Sequence, residues 1–329
     1  MLTIKENFLE TIHGGKPDRF VKQYEYMETI PDPILFRCGG ICNLNQTIVN
    51  DWGVTVNWPE NAPGPFPIHT PDKLLLPDVT EWRQVLHAPD PRSYTAEEWA
   101  PSEEMARKVD RNEKFVACMG APGIFEKLHY FMGMDNALIN YILEPEAMHE
   151  LINFLADWEI ECAKVQIEHI HPNALFHHDD WGSQLSTFLA PEMFREFFVP
   201  AYKKIYGFWR ENGVELIVHH SDSYARTLVP YMIEMGIDVW QGAVQENDLP
   251  ALIREYGGSI AIHGGIDNGK YDTADWSREK IRTRLRELFD TCGTAYLIPG
   301  VTQGGPGSAY HGMYEAVSEE IDALSKEYF

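Results

Sequence analysis

The chain has 329 residues, of which 44% are hydrophobic and 23% charged, a composition typical of a globular protein with a large core. Its formal net charge of −23 opposes contact with phosphate backbones and argues against a nucleic-acid-binding function. No apolar run approaches the roughly 20 residues of a membrane-spanning helix. The five cysteines form no disulfide framework and the amino terminus lacks a signal-peptide pattern, so we expect a cytoplasmic protein.

Short apolar runs alternate with amphipathic stretches along most of the chain. The apolar runs predict strands at 20–26, 114–119, 174–178, 214–219, 237–241, 259–263 and 294–298. The stretches of helical periodicity predict helices at 145–170, 191–212, 225–235, 249–256, 278–291 and 311–327. Apolar strands that alternate with helices indicate a parallel sheet covered by helices.

This alternation and the chain length favour an α/β fold of the (β/α)8 TIM-barrel type. A doubly wound sheet is the alternative, but no GxGxxG-type loop follows the first predicted strand. An eighth strand would lie in 30–60 or 135–145. We expect a single domain over 1–329, in which the Pro- and Trp-rich segment 28–112 forms an irregular extension over the barrel mouth.

Polar and ionisable residues follow the predicted strands, at the end of the barrel where active sites lie. Five of the thirteen histidines occupy three of these strand ends. The residues concerned are Glu25, Tyr26, His177, His178, Asp179, Asp180, His219, His220, Asp222, Gln241, His263, Asp267 and Gln303. We therefore expect a reaction site there.

The clusters HHDDW at 177–181 and HHSDS at 219–223 occupy the same place in two β/α units. Side chains two residues apart at a strand end point the same way, so His220 and Asp222 can converge while Ser221 turns aside. Both are ordinary Zn²⁺ ligand types, and a third ligand would come from Asp180, His178 or His263. The alternative is structural: buried histidines, and aspartates that cap the next helix.

Two other motifs suggest sites less specifically. Cys38-X3-Cys42 has the spacing of half a metal site, but no second cysteine pair follows it. The glycine-rich stretch 300–308 lies between a strand and a helix, as in phosphate-binding barrels, yet it lacks the lysine of a P-loop. A flexible loop explains it equally well.

Several segments in order resemble the uroporphyrinogen decarboxylase superfamily over nearly the whole chain. They are ENFLETIHGGKPDRF, NDWGVTVNWPE, LPDVTEWRQVLHAPDP, HHDDWGSQ, IVHHSDS and IHGGID, followed by a glycine-rich loop and a final helix. The resemblance implies a (β/α)8 barrel, in agreement with the strand and helix pattern. It also offers two classes of function, decarboxylases and corrinoid-dependent methyltransferases.

The decarboxylases of this superfamily act on a tetrapyrrole with eight carboxylates and carry an arginine-rich stretch early in the chain. The corresponding stretch here, YEYMETIPDP at 24–33, has three acidic residues and no arginine, although Arg37 follows. An octa-anion would find no bidentate arginine partners there. The tetrapyrrole decarboxylase function is therefore disfavoured.

Within the methyltransferase branch, enzymes that use thiol substrates carry His-X-Cys after the matching strand and a further cysteine near the end. This chain has Ser221 and Asp222 after His220, and Gly300 to Gln303 where the last cysteine would be expected. It resembles more closely the methyltransferases of O-demethylase systems. These move a methyl group from an aryl methyl ether to the cobalt of a separate corrinoid protein.

The resemblance therefore implies two partners, a corrinoid protein and a small methoxylated aromatic substrate. A phenolate leaves poorly unless its oxygen is protonated or bound to a Lewis acid. We expect catalytic roles for His220, Asp222, Asp180 and His178, and a Zn²⁺ site of His220, Asp222 and His263. We expect substrate contacts from Glu25, Tyr26, Trp52, Trp181, Gln241 and Gln303, and a wall that includes Trp58, Phe66 and Trp240. The alternatives are a decarboxylase of a small carboxylic acid and a non-catalytic binding barrel.

Overall fold

The structure, a computed structural model, describes residues 1–60, 62 and 64–329; Asn61 and Pro63, in the predicted extension, lie outside the described residues. The strands of the described residues are β1 (Met27–Ile30), β2 (Thr47–Val49), β3 (Thr55–Asn57), β4 (Phe66–Pro67), β5 (Phe115–Gly120), β6 (Ala174–His178), β7 (Leu216–His220), β8 (Val239–Ala243), β9 (Ala261–Ile266) and β10 (Leu297–Val301). A seven-stranded sheet has the order β1-β5-β6-β7-β8-β9-β10, and β2, β3 and β4 form a small antiparallel sheet. All six pairings in the large sheet are parallel, as predicted.

Helices cover this sheet, and most follow the predicted periodicity. The helices of the described residues are α1 (Ile4–Ile12), α2 (Pro33–Cys38), α3 (Trp82–Val85), α4 (Ala96–Lys108), α5 (Ile124–Met132), α6 (Met134–Leu143), α7 (Pro145–Ile170), α8 (Pro191–Phe197), α9 (Val199–Glu211), α10 (Val229–Met235), α11 (Leu249–Tyr256), α12 (Asn268–Tyr271), α13 (Arg278–Cys292) and α14 (Met313–Tyr328). The predicted helix 191–212 divides at Phe198, because Pro200 cannot donate the hydrogen bond that a continuous helix needs. In the described chain no helix combines the length and apolarity that crossing a bilayer requires.

The large sheet curls so that its two edges approach each other. Met27 of β1 and Ile298 of β10 share one inner core with apolar residues of the five strands between them. Phe8 and Ile12 of α1 belong to the same core. The opposite faces of the strands pack under the helices in a second, outer core. No ladder joins β1 to β10 among the described residues, so the predicted (β/α)8 barrel is seen only as a curled seven-stranded half-barrel.

The predicted first strand, 20–26, is wrong. Gln23 has a φ of 49°, in the left-handed region that an extended strand excludes. Its backbone N–H donates to the carbonyl of Pro299 at 3.3 Å, and its side-chain oxygen accepts from the N–H of Val301 at 3.2 Å. Its side-chain nitrogen donates to Ser318 Oγ at 2.8 Å. This segment therefore joins the β10 edge as a turn held by one glutamine.

The extension 28–112 is more regular than predicted, since it contains β2–β4 and α2–α4. Trp52 anchors it, with its ring 4.9 Å from that of Trp158 in α7 and 5.2 Å from that of Phe131 in α5. These buried aromatic contacts fix the extension to the helical layer beside the carboxyl ends of the strands.

A buried ionic cluster joins α5, α7 and β6. Lys127 Nζ lies 2.8 Å from Glu159 Oε1, and His177 Nε2 lies 3.0 Å from Glu159 Oε2. Burial alone would raise the pKa of Glu159, but the charge of Lys127 and the contact with His177 outweigh it and lower the pKa to about 2. Glu159 is therefore ionised in the folded protein, and Lys127 balances its buried charge.

Lys127→Met should destabilise the protein by about 3–5 kcal/mol, because Glu159 would keep its buried charge without an ammonium partner. Denaturant unfolding at pH 7 measures this change. The matched control is Lys164→Met, which removes an exposed pair with Glu161 and should cost less than about 1 kcal/mol. Equal effects of the two substitutions would contradict the assignment.

The ionised Glu159 also predicts an acid dependence. A carboxylate with a lowered folded pKa stabilises the fold above its unfolded value of 4.5, and the stabilisation is lost as the pH falls towards 2. The unfolding free energy of the wild type should decline over this range by more than that of Lys127→Met. Parallel pH profiles of the two proteins would argue against it.

Candidate active site

The two histidine pairs lie side by side on neighbouring strands. In the parallel pairing of β6 and β7, His177 is opposite His219 and His178 is opposite His220. Because side chains alternate between the faces of a sheet, one pair points to the barrel interior and the other to the helices. The rings of His178 and His220 stack with centroids 4.3 Å apart at the carboxyl end of the sheet.

His220 is held in a single tautomer by Gln241. The amide nitrogen of Gln241 donates to the carbonyls of Val301 at 3.3 Å and Thr302 at 3.1 Å, so its oxygen is an acceptor. That oxygen contacts Nδ1 of His220, which must then carry the proton. Burial and the neighbouring His178 depress the pKa of His220 far below its ordinary value. The imidazole is therefore neutral, with a lone pair on Nε2.

His178 is held by Glu126 of α5, which sequence reasoning missed. Its Nδ1 lies 2.8 Å from Glu126 Oε2, and this leaves Nε2 for other partners. Burial alone would lower the pKa of His178, but the charge and hydrogen bond of Glu126 outweigh it and raise the pKa to about 10. A carboxylate behind a histidine is a common arrangement around metals, where it orients the ring and increases its basicity.

Asp180 completes a three-residue group with the two histidines. One ligand-type atom from each of His178, Asp180 and His220 lies within 4.8 Å of the others. Asp180 Oδ1 is 3.8 Å from His220 Nε2 and accepts from the backbone N–H of Asp222 at 2.7 Å. Burial, only partly offset by His178, raises the pKa of Asp180 to about 6. Two nitrogens and one carboxylate suit Zn²⁺ with an open position.

The remaining members of the two clusters are structural. His219 stacks on Trp181 with centroids 3.8 Å apart, and its two nitrogens contact Tyr206 Oη and the carbonyl of Asp179. Asp179 accepts from the first backbone N–H groups of α5 and from the indole of Trp181. Ser221 accepts from the N–H of Trp181 at 3.1 Å.

Asp222 and His263, predicted as metal ligands with His220, lie outside the three-residue group. Asp222 directs its backbone N–H, not its carboxylate, to Asp180. His263 lies deeper in the barrel, where it is fully buried and its Nδ1 is 3.3 Å from Tyr26 Oη. The metal-type group that the structure brings together is therefore His178, Asp180 and His220, and a ligand role for Asp222 or His263 stays a prediction. The pairing of β6 with β7 brings His178 and His220 together, and Asp180 follows His178 by two residues on the same segment.

His178 and His220 of this group line a cavity of about 650 Å³ at the carboxyl ends of the strands. The extension forms one wall and the loop 303–308 another, which agrees with the predicted position of the extension. Its aromatic and thioether lining consists of Tyr24, Met27, Trp58, Met119, Tyr130, Phe176 and Tyr314. Among the lining residues that the structure describes there is no arginine and no lysine.

The predicted substrate residues divide between this cavity and the core. Gln303 lines the cavity, and Gln241 supports His220 from behind it. Trp52 and Trp181 are buried in the outer core. Their rings pack against Trp158 of α7 and Phe194 of α8, respectively. Tyr26 belongs to the inner core, and Glu25 accepts from the N–H of Lys22 in the turn before β1.

Of the other aromatic residues expected in the wall, Trp58 lines the cavity, Phe66 is half exposed and Trp240 is fully buried. Tyr24, Tyr130, Phe176 and Tyr314 were missed, although Phe176 lies two residues before His178 on an inward-facing position. That period-2 relation was the available signal for it. The cysteines of the Cys38-X3-Cys42 motif contact Tyr94 and Gln46 separately and join no metal-type cluster in the described chain.

The model of the uroporphyrinogen decarboxylase (URO-D) family matches residues 47–298. The chain belongs to this family. The match includes the two histidine clusters and the parallel strands that carry them. No curated protein matches the chain in a sequence search.

One solved structure shares the fold of this URO-D family member. A methyltransferase from Methanosarcina mazei superposes with a TM-score of 0.68 at 12% identity, covering 98% of this chain and 99% of that one. An α-amylase from Geobacillus thermoleovorans reaches a TM-score of 0.35 at 9% identity, covering 77% and 65%. At these identities the first likeness establishes the shared fold.

His220→Ala should abolish binding of Zn²⁺ and leave the fold intact, since the ring lies at the end of a strand. Elemental analysis and calorimetric titration of metal-free protein with Zn²⁺ test this prediction. The control is the adjacent His219→Ala, which should cost about 3 kcal/mol of stability through lost packing yet still bind Zn²⁺. Zinc binding lost in both variants, or in neither, would count against the assignment.

Gln241→Leu should weaken Zn²⁺ binding by about 10–100-fold, because His220 loses the acceptor that fixes its tautomer. Titration against a competing chelator measures this affinity. Gln303→Leu, at a position that lines the cavity without contacting His220, is the control and should not change it. An unaltered affinity in Gln241→Leu would refute the orienting role.

Proposed function

We propose that this URO-D family protein is a methyltransferase, which moves a methyl group from a methoxylated aromatic compound to the cobalt of a corrinoid protein. The observation that carries the proposal is the group of His178, Asp180 and His220, two of whose members, His178 and His220, line an aromatic-walled cavity of about 650 Å³. The fold shared with a methyltransferase from Methanosarcina mazei supports it.

The cavity suits a small aromatic ether better than a tetrapyrrole. Aromatic rings and methionines offer an apolar surface to a flat ring. The described lining lacks the cations that an octa-anionic substrate would need. The stretch 24–33 of the sequence contains no arginine, which also disfavours a tetrapyrrole substrate.

The residues of the site fit a Zn²⁺ ion. Asp180 and Nε2 of His178 and His220 would hold it, while Glu126 and Gln241 fix the two rings from behind. Bound zinc would supply Lewis acidity at the ether oxygen, which makes the phenolate a better leaving group. Deprotonation of His178 would accompany binding, because a ligating imidazole must be neutral at that nitrogen.

The protein groups also control protons at the leaving oxygen. Burial together with the charge of Asp180 raises the pKa of Asp222 to about 7. Carboxylic acids in this range can donate a proton near neutral pH. The walls of the cavity would exclude water and hold the methyl carbon open to attack from the mouth.

The proposal is tested by following methyl transfer from methoxyarenes to cob(I)alamin by its visible absorbance. The wild type should form methylcobalamin, and His220→Ala or Asp180→Asn should reduce the rate by at least about 100-fold, as expected when charge stabilisation at the leaving group is lost. Lys164→Met is the control and should keep full activity. The proposal fails if the wild type transfers no methyl group.

The competing function is decarboxylation of a small carboxylic acid, because the family is described by a decarboxylase. Release of CO₂ from small aromatic acids, in the absence of any corrinoid, would establish that function instead. Binding of methoxyarenes with neither reaction would favour the non-catalytic barrel.

A further inference from the structure

Tyr130 of α5 is a half-buried tyrosine in the wall of the cavity. It follows Glu126 by four residues, so the two side chains leave the helix on the same face. Both line the cavity together with His178 and His220. Because Glu126 Oε2 lies 2.8 Å from His178 Nδ1, the face of α5 that carries Tyr130 is turned towards the metal-type group.

The hydroxyl of Tyr130 is free to meet a ligand. It forms no hydrogen bond within the part of the chain that the structure describes, and it is not closed off, in contrast to the buried hydroxyls of Tyr24 and Tyr141. The side chain lines the cavity and is only half-buried. Tyr130 therefore offers an unused O–H group to whatever the cavity binds.

Carboxylates lie close to this hydroxyl. Burial raises the pKa of Tyr130 well above its usual range, and the charges of Glu126 and Asp180 raise it further. The effect of Asp180 places the phenol within electrostatic reach of the metal-type group. Tyr130 is therefore protonated near neutral pH, and its hydroxyl can donate a hydrogen bond.

Building on the proposed function, we propose that Tyr130 is a further catalytic residue, whose hydroxyl donates a hydrogen bond to the ether oxygen that loses the methyl group. The electron pair of Co(I) forms the new bond to the methyl carbon, and the pair of the broken C–O bond remains on the oxygen. That oxygen becomes negatively charged, so the hydrogen bond is stronger in the transition state than with the neutral ether.

Tyr130 keeps its own proton during this step. Its pKa lies above that of a phenol in water, so proton transfer from Tyr130 to the phenolate is unfavourable. The phenolate receives its proton from Asp222 or from water. Tyr130 thus stabilises charge, while the acid–base step stays with other groups.

The first experiment measures methyl transfer to cob(I)alamin by the wild type and Tyr130→Phe. The donors are 1-methoxy-4-nitrobenzene, methoxybenzene and 1-methoxy-4-methylbenzene, in order of decreasing acidity of the phenol that leaves. The variant should be about 100-fold slower with methoxybenzene, with a nearly unchanged dissociation constant for this donor. The loss should be smallest with the nitro compound, whose phenolate spreads its charge over the nitro group. Equal losses with all three donors would indicate a structural role and overturn the assignment.

The second experiment needs no corrinoid. Protein supplemented with Zn²⁺ is titrated with 4-nitrophenolate, the leaving group of the first donor, and binding is followed by visible absorbance. Tyr130→Phe should bind it about 10–100-fold more weakly, because a hydrogen bond to a charged oxygen is lost. Unaltered binding would contradict the proposed contact.

The matched control is Tyr141→Phe, which removes a buried hydroxyl without a described partner and is not among the described residues that line the cavity. It should change neither phenolate binding nor methyl transfer. The affinity for Zn²⁺ should be the same in the wild type and both variants. Loss of Zn²⁺ binding in Tyr130→Phe would make the residue a support of the metal-type group and overturn the catalytic role.

The two proposals fail in different ways. If the wild type transfers methyl groups and Tyr130→Phe is equally fast with every donor, the methyltransferase function stands and the role of Tyr130 falls. If the wild type methylates no cob(I)alamin with any of the three donors, the proposed function itself fails, and the inference with it.

Discussion

The pairing register of β6 and β7 is the constraint on which the site depends. It sets His178 beside His220 on the inner face and His177 beside His219 on the outer face. If β7 slipped by one residue against β6, His219 would turn to the inner face and His220 would turn towards the helices, which would separate His220 from His178. The register is maintained because each pair has partners that the other position lacks. Trp181 and Tyr206 hold His219, while Glu126 and Gln241 are available only to the inner pair.

Partners behind the rings give each inner histidine a different proton state. Gln241 is itself committed to two carbonyl groups, so it can only accept from His220, whose Nε2 is left with a lone pair. Glu126 instead favours a protonated His178. Adjacent stacked imidazoles would repel each other if both were charged, and this asymmetry avoids that cost. In the proposed metal site, His178 would lose its proton as the metal binds.

Hydrogen bonds and a β-bulge determine the shape of the barrel mouth. Gln23 holds the amino-terminal segment to β10 through two hydrogen bonds and to Ser318 of α14 through a third, where a closed barrel would have a strand. Gly242, with a φ of 97°, allows the bulge after Gln241, since a side chain there would meet the backbone of Ser221 at 2.8 Å. These irregularities lie next to the candidate site and place its supporting residues.

The sequence by itself determined the parallel α/β architecture, six of the seven large-sheet strands to within a few residues, and the concentration of chemistry in two histidine clusters. These features follow from local periodicity and from the rule that parallel strands end together. It also indicated the family, through motifs in a fixed order. Tertiary structure decided that 20–26 is a turn, because Gln23 finds its partners nearly 300 residues away along the chain. It likewise decided that Asp180 joins His178 and His220 in a metal-type group, that Glu126 lies behind His178, and that Tyr24 lines the cavity. These contacts form between side chains that are far apart in the sequence, so the spacing of residues along the chain does not predict them.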